Sequence, residues 1–373
     1  MYVLEVSVIE VIMPGRKRVI IDVNDHGDVT QAMKAKRTSI GTKGNYNSKV
    51  LHYTQWAQTH TPDCIVNGEV TIPMNKESLL LFVGHICSPA YDRLKVGDPS
   101  EVKDADDPYS VSHIKGYRSA FINLYTTMNM KIDDEFNAEV NQVLEGYAKT
   151  INELKKKGLM KPGEGKRDLK ISGYHLLAEK FMKKDPAKHK VSGNWGLTMF
   201  MWHYFVILWN LMSRNDSVDS LMMTHIEWSE DALIIEEQGH KADQAGEKKF
   251  GKHIYANPYH PTICPILSLA VLTFSSGIRL AGSSQQLFAG TNSKDRFSKN
   301  LREEVLRLTA EEIVILGCDP GDVGTHSCRK GSGTFCLGQI AGPNPVTVIL
   351  RMGQSLGKIR DAYVFQCEVV TSF

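Results

Sequence analysis

The sequence predicts a mainly α-helical protein carrying one small antiparallel β-meander. Apolar residues recur at three- and four-residue steps through most of the chain. Short β-branched runs separated by turn residues gather between positions 225 and 256. A charged stretch bearing Pro162-Gly163 and Gly165 divides the helical patterns into two groups. Together these give two helical domains, the second holding the meander.

In chain order, residues 1–35 form an N-terminal extension of unknown role. Runs at 3–13 and 18–23 have strand character and are split by Pro14-Gly15, which suits a hairpin or an appended element. Helical spacing begins near Ser39. Helices are expected over 46–59, where Tyr46, Val50, Tyr53 and Ala57 share a face, and over 75–87, after Pro73. A loop rich in Pro, Gly and Asp follows from 88 to 108. Further helices open at Tyr109-Ser110 and run over 135–157. Residues 36–157 thus read as a helical domain, 158–171 as a linker, and 172–373 as a second domain.

In the second domain a short helix is expected over 174–184. A long one over 193–213 is apolar all round and must be central. Strands follow at 225–228, 232–237 and 252–256, with a polar turn at 240–246. Helices are expected at 264–274, 297–308, 311–316 and 325–337, the last with Thr325 as its N-cap.

The composition is that of an ordinary globular chain, 42% hydrophobic and 23% charged over 373 residues. No apolar run reaches the roughly 20 residues of a membrane span, and the first residues lack the features of a signal peptide. No membrane partner is expected. Seven cysteines are scattered without CxxC pairs, which argues against a zinc site and for a reducing compartment. The net charge is only +2, but lysines concentrate between 155 and 190. Such a stretch suits either a phosphate backbone or a solvated linker.

The chemistry concentrates near the end of the chain. His326 and Arg329 stand three residues apart, so a helix starting near Thr325 turns both toward one ligand. Arginine is suited to gripping phosphate with two donors. Gln354 follows, and Tyr363 comes nine positions later (363 − 354). Upstream, Arg214 directly succeeds the long apolar helix, and Lys241 lies 27 residues further on (241 − 214) in the meander turn. Singly, each has a plainer reading. Among 13 histidines roughly one His-x-x-Arg arises by chance, and Arg214 alone suits a cap or a surface position.

The ordered set Arg214, Lys241, His326, Arg329, Gln354 and Tyr363 resembles the tyrosine recombinase, or phage-integrase-like, family. That family presents Arg, Lys, His-x-x-Arg, His or Trp, and Tyr in this order. The stretches Ile207-Leu208-Trp209-Asn210-Leu211-Met212-Ser213-Arg214 and His326-Ser327-Cys328-Arg329-Lys330-Gly331 are similar, more loosely, to Crypton-type mobile-element recombinases of eukaryotes. The resemblance implies a helical core-binding domain followed by a catalytic domain. It implies double-stranded DNA as partner, a homotetramer on paired sites, no metal or other cofactor, and a nuclear location. Tyr363 is implied as nucleophile, Lys241 as acid for the leaving oxygen, and His326 with the arginines as base and phosphate clamp. The sequence departs from the pattern at Gln354, which can donate a hydrogen bond but neither a charge nor an acid. It also has Ser217 where the family often has an acid, and Lys248 and Lys249 rival Lys241. A catalytically weak DNA-binding descendant is the alternative reading.

Overall fold

The structure is a computed structural model that describes residues 11–13, 16–18, 25–96, 107–163, 165–184, 195–238, 251–275 and 284–354. The described chain is mainly α, with three small antiparallel sheets of two, two and three strands. It divides into two compact units between residues 164 and 165.

In the first unit, β1 (Val11–Met13) pairs antiparallel with β2 (Arg16–Arg18). Helix α1 (Asp25–Lys36) follows, all but its last residue in the segment expected to be an extension. Helix α2 (Ile40–His60) starts six residues before its expected apolar face (46 − 40), because Ser39 Oγ accepts the amide of Thr42 and caps it. A two-stranded ladder, β3 (Ile65–Val66) and β4 (Glu69–Val70), precedes α3 (Lys76–Val96).

Helix α3 corrects an expectation, since it runs through Pro89 instead of stopping at Cys87. Proline removes the amide that would bond the His85 carbonyl. Ser88 Oγ donates to that carbonyl instead, at 2.9 Å. Ala90, fully buried, keeps the continuation packed. Helices α4 (Val111–Thr127) and α5 (Asp134–Lys156) are capped by Ser110 and Asp133. Tyr53, Phe82, Tyr117, Phe121, Leu144 and Ile151 make the core of this unit.

The second unit is built around α7 (Trp195–Asn210), buried from Thr198 to Trp209. Helix α6 (Ile171–Lys183) packs on it, and Tyr174 stacks on Trp209 with ring centres 4.2 Å apart. Met212 adopts a left-handed conformation, φ 52°, that stops the chain from continuing as helix. Arg214 then caps the short α8 (Asn215–Asp219).

The meander is β5 (Ile226–Ser229), β6 (Ala232–Ile235) and β7 (Lys252–Ile254). Ile226 faces Ile235, and Ile235 faces Lys252. Helices α9 (Pro265–Ser275), α10 (Ser293–Leu306), α11 (Ala310–Leu316) and α12 (Thr325–Leu337) complete the core. A last helix, α13 (Pro345–Arg351), was not expected from its sequence; Asn344 caps it and Pro345 opens it.

Residues 166–169, inside the expected linker, run against the start of α12. Leu169 donates its amide to the Ser327 carbonyl, and Lys330 Nζ donates to the Lys166 carbonyl at 2.6 Å. Five of the described lysines in the basic stretch are held in ion pairs. Lys157 pairs with Glu153, Lys170 with Asp168, Lys180 with Glu312, Lys183 with Glu179 and Lys184 with Glu304. The density of lysine in sequence therefore overstates the free positive charge.

Candidate functional site

The N-cap of α12 is Gly324, and Thr325 is its first helical residue, against the expectation. Ser327 decides this, because its hydroxyl reaches back to the Gly324 amide at 3.1 Å. His326 and Arg329 still rise from the first two turns. Gly331 lets this end of α12 pack closely: a Cβ there would stand 2.0 Å from the Leu169 carbonyl oxygen.

Arg329 is 3% exposed. Its Nη1 donates to the Met212 carbonyl at 2.8 Å, and Nη2 donates to the Met352 carbonyl. The guanidinium thus ties the end of α7 to the end of α13. Loss of water, followed by the neighbouring charge of Arg214, lowers its pKa to about 10. It remains a cation at neutral pH.

Arg214 is half-buried at the α7–α8 corner. Among the described residues its guanidinium has no hydrogen-bond or ion-pair partner. His326 is open to solvent on one side. Partial loss of water lowers its pKa, and the charges of Lys330, Arg329 and Arg214 push the same way. The ring is consequently neutral at pH 7 and able to accept a proton.

Three of the six sequence candidates, Arg214, His326 and Arg329, are therefore close enough to influence one another electrostatically. Gln354 lies just beyond α13, exposed, its amide bonded to the Ile349 carbonyl. Lys241 and Tyr363, with Lys248 and Lys249, fall outside the described residues.

The sequence reading passed over a buried cluster beneath these groups. Lys252 is 5% exposed, and its Nζ donates to the Leu211 carbonyl at 3.0 Å and Ser213 Oγ at 2.8 Å. It also pairs with Glu237 at 3.0 Å, and Ser213 donates to the same carboxylate. Burial lowers the Lys252 pKa to about 8, against the pull of Glu237. With three acceptors in place, this ammonium anchors the residues immediately before Arg214. The clue was phase: Lys252 and Ile254 share the inward face of a strand, where a lysine is out of place.

Chemically, two guanidiniums and a neutral imidazole are the kinds of group that can contact a phosphate twice and accept a proton beside it. Among the described residues the one carboxylate whose charge reaches Arg329, Glu237, is already held by Lys252. Among the described residues no group of three or more side chains is placed to hold a metal ion, and no helix is long and apolar enough to cross a membrane.

No family model and no curated protein matches the sequence. Among solved structures, a crystal structure of a lambda integrase dimer bound to a COC′ core site is similar in outline. It shares 11% identity and a TM-score of 0.33, covering 92% of this chain and 88% of that one. At that score the functional reading rests on the residues and not on the likeness.

Proposed function

We propose that the protein is a tyrosine recombinase that breaks and rejoins double-stranded DNA. One observation carries the reading: Arg214 and Arg329, 115 residues apart (329 − 214), act on the same imidazole, and neither has a carboxylate partner among the described residues. A phosphodiester supplies the missing negative charge. It resists nucleophiles because of that charge, and two arginines on its non-bridging oxygens offset the repulsion and suit the pentacoordinate state. Losing one such donor typically slows a reaction by about a hundredfold or more.

In this reading the Tyr363 hydroxyl gives its proton toward neutral His326 and attacks phosphorus. The bond from phosphorus to the 5′-oxygen breaks, and that oxygen takes a proton from Lys241. The product is a 3′-phosphotyrosine, which the 5′-hydroxyl of another strand reverses. Gln354 donates a hydrogen bond to a phosphate oxygen. Assembly as a homotetramer on paired sites, a mobile-element origin and a nuclear location belong to the same proposal.

The test is a nicked suicide duplex incubated with the wild type and with Tyr363→Phe, then run on a denaturing gel. A covalent protein–DNA band in the wild type alone is the expected result. DNA binding that weakens steeply with salt, with no covalent band on any duplex, would instead support the binding-only descendant. Absence of salt-sensitive binding would remove both readings.

A further inference from the structure

Residues of α6, α7, β7, the loop after α12 and the end of α13 line a cavity of about 580 Å³. That lies in the range of small-molecule sites, roughly 300–1,000 Å³. Its walls include Tyr174, Trp209, His175, His260, Asn257 and Arg351. Among the described residues no aspartate or glutamate lines it, and neither do Arg214, His326 and Arg329.

Arg351 is the unusual member. It is 2% exposed, with Nε and Nη2 donating to the Asn210 carbonyl and Nη2 also to the His253 carbonyl. Nη1 is buried with no hydrogen-bond partner, and among the described residues no carboxylate lies within ion-pair distance. Glu237 is near enough to act on it, but is bound by Lys252. A buried guanidinium with a free donor and no counter-charge is costly to keep. The nearby His175 does not share this charge, since burial and then His260 lower its pKa and leave it neutral at pH 7.

We infer that this cavity binds a small anion bearing a flat aromatic or heteroaromatic ring, with a carboxylate or phosphate answering Arg351 and the ring against the Tyr174, Trp209 and His260 walls. The site is separate from the proposed DNA-cleaving centre but adjoins it in sequence. Met352, the next residue, supplies the carbonyl that holds Arg329.

The test is calorimetric titration of the full-length chain with benzoate and with adenosine 5′-monophosphate, each beside its neutral counterpart, benzamide or adenosine. At least one anion is expected to bind about tenfold or more tightly than its counterpart, the size of a charge-assisted hydrogen bond. The two anions distinguish carboxylate from phosphate. Ala341→Trp, which adds bulk at an exposed lining position and leaves Arg351 in the sequence, should abolish that binding at an unchanged melting temperature. Arg214→Ala should leave it intact, so that this site and the DNA site fail separately. Equal binding of anion and neutral ligand, no binding of either anion, or binding that survives Ala341→Trp would each overturn the inference.

Discussion

The guanidinium of Arg329 donates to the carbonyl of Met212 at 2.8 Å, although 117 residues separate them. That bond fixes the start of α12 to the left-handed residue that ends α7, and two residues later the chain presents Arg214. The candidate clamp is held by backbone carbonyls, which accept hydrogen bonds without neutralising the arginine.

Arg329→Lys tests the fork. A lysine keeps the charge but concentrates its donors at one point and cannot span two carbonyls. A stability loss of about 1–3 kcal/mol is expected in urea unfolding, together with weaker DNA binding. A variant as stable as the wild type would show that the two carbonyl contacts contribute little.

Gly331→Ala should destabilise by about 1–3 kcal/mol or more, because its Cβ would meet the Leu169 carbonyl at 2.0 Å and Trp209 at 2.9 Å. Gly146→Ala, a glycine with open space around its Cβ position inside α5, is the control and should be neutral or stabilising. Equal thermal shifts for the two would contradict the close packing of α12.

The Lys252–Glu237 pair is buried, so removing one charge strands the other. Lys252→Met should cost about 3–5 kcal/mol, and adding Glu237→Met should recover much of it. The comparison of denaturant midpoints for the two singles and the double decides it; additive losses would mean that the charges do not depend on each other.

Two histidines set two kinds of pH dependence, one of stability and one of activity. His203 is fully buried, with Nδ1 bonded to Ser268 Oγ, and burial lowers its pKa to about 3. The unfolded chain takes up a proton near pH 6.5 and the folded chain does not, so this contribution is complete above 6.5 and is lost as pH falls toward 3. The loss is about 1.4 kcal/mol per pH unit. Unfolding of the wild type and His203→Phe at several pH values should show a shallower acid slope in the variant.

His326 is lowered for activity instead. DNA cleavage that uses it as base should decline only at a lower pH than an ordinary histidine would set, as the ring gains a proton. A decline that begins above pH 7 would assign the proton transfer to another group.

Much of the secondary structure was legible because it is local. Three- and four-residue spacing marked α2 and α5, a continuous apolar run marked α7, and β-branched runs between turn residues marked the meander. Where a cap or a bond crossed the pattern, the reading shifted: Ser88 carried α3 past Pro89, and Ser327 moved the cap of α12 to Gly324. Helix α13 was missed because seven residues show less than two full periods.

By itself, the sequence determined the mainly helical class, the central apolar helix, and the order in which Arg214, His326 and Arg329 occur. Tertiary structure alone decided that these three lie within electrostatic reach of one another. It also decided that Lys252 and Glu237 are buried together beneath Arg214, and that Arg351 has no ion-pair partner among the described residues. Helix and strand periods are written in neighbouring residues, whereas burial and pairing depend on which distant segments meet, and no local pattern encodes that.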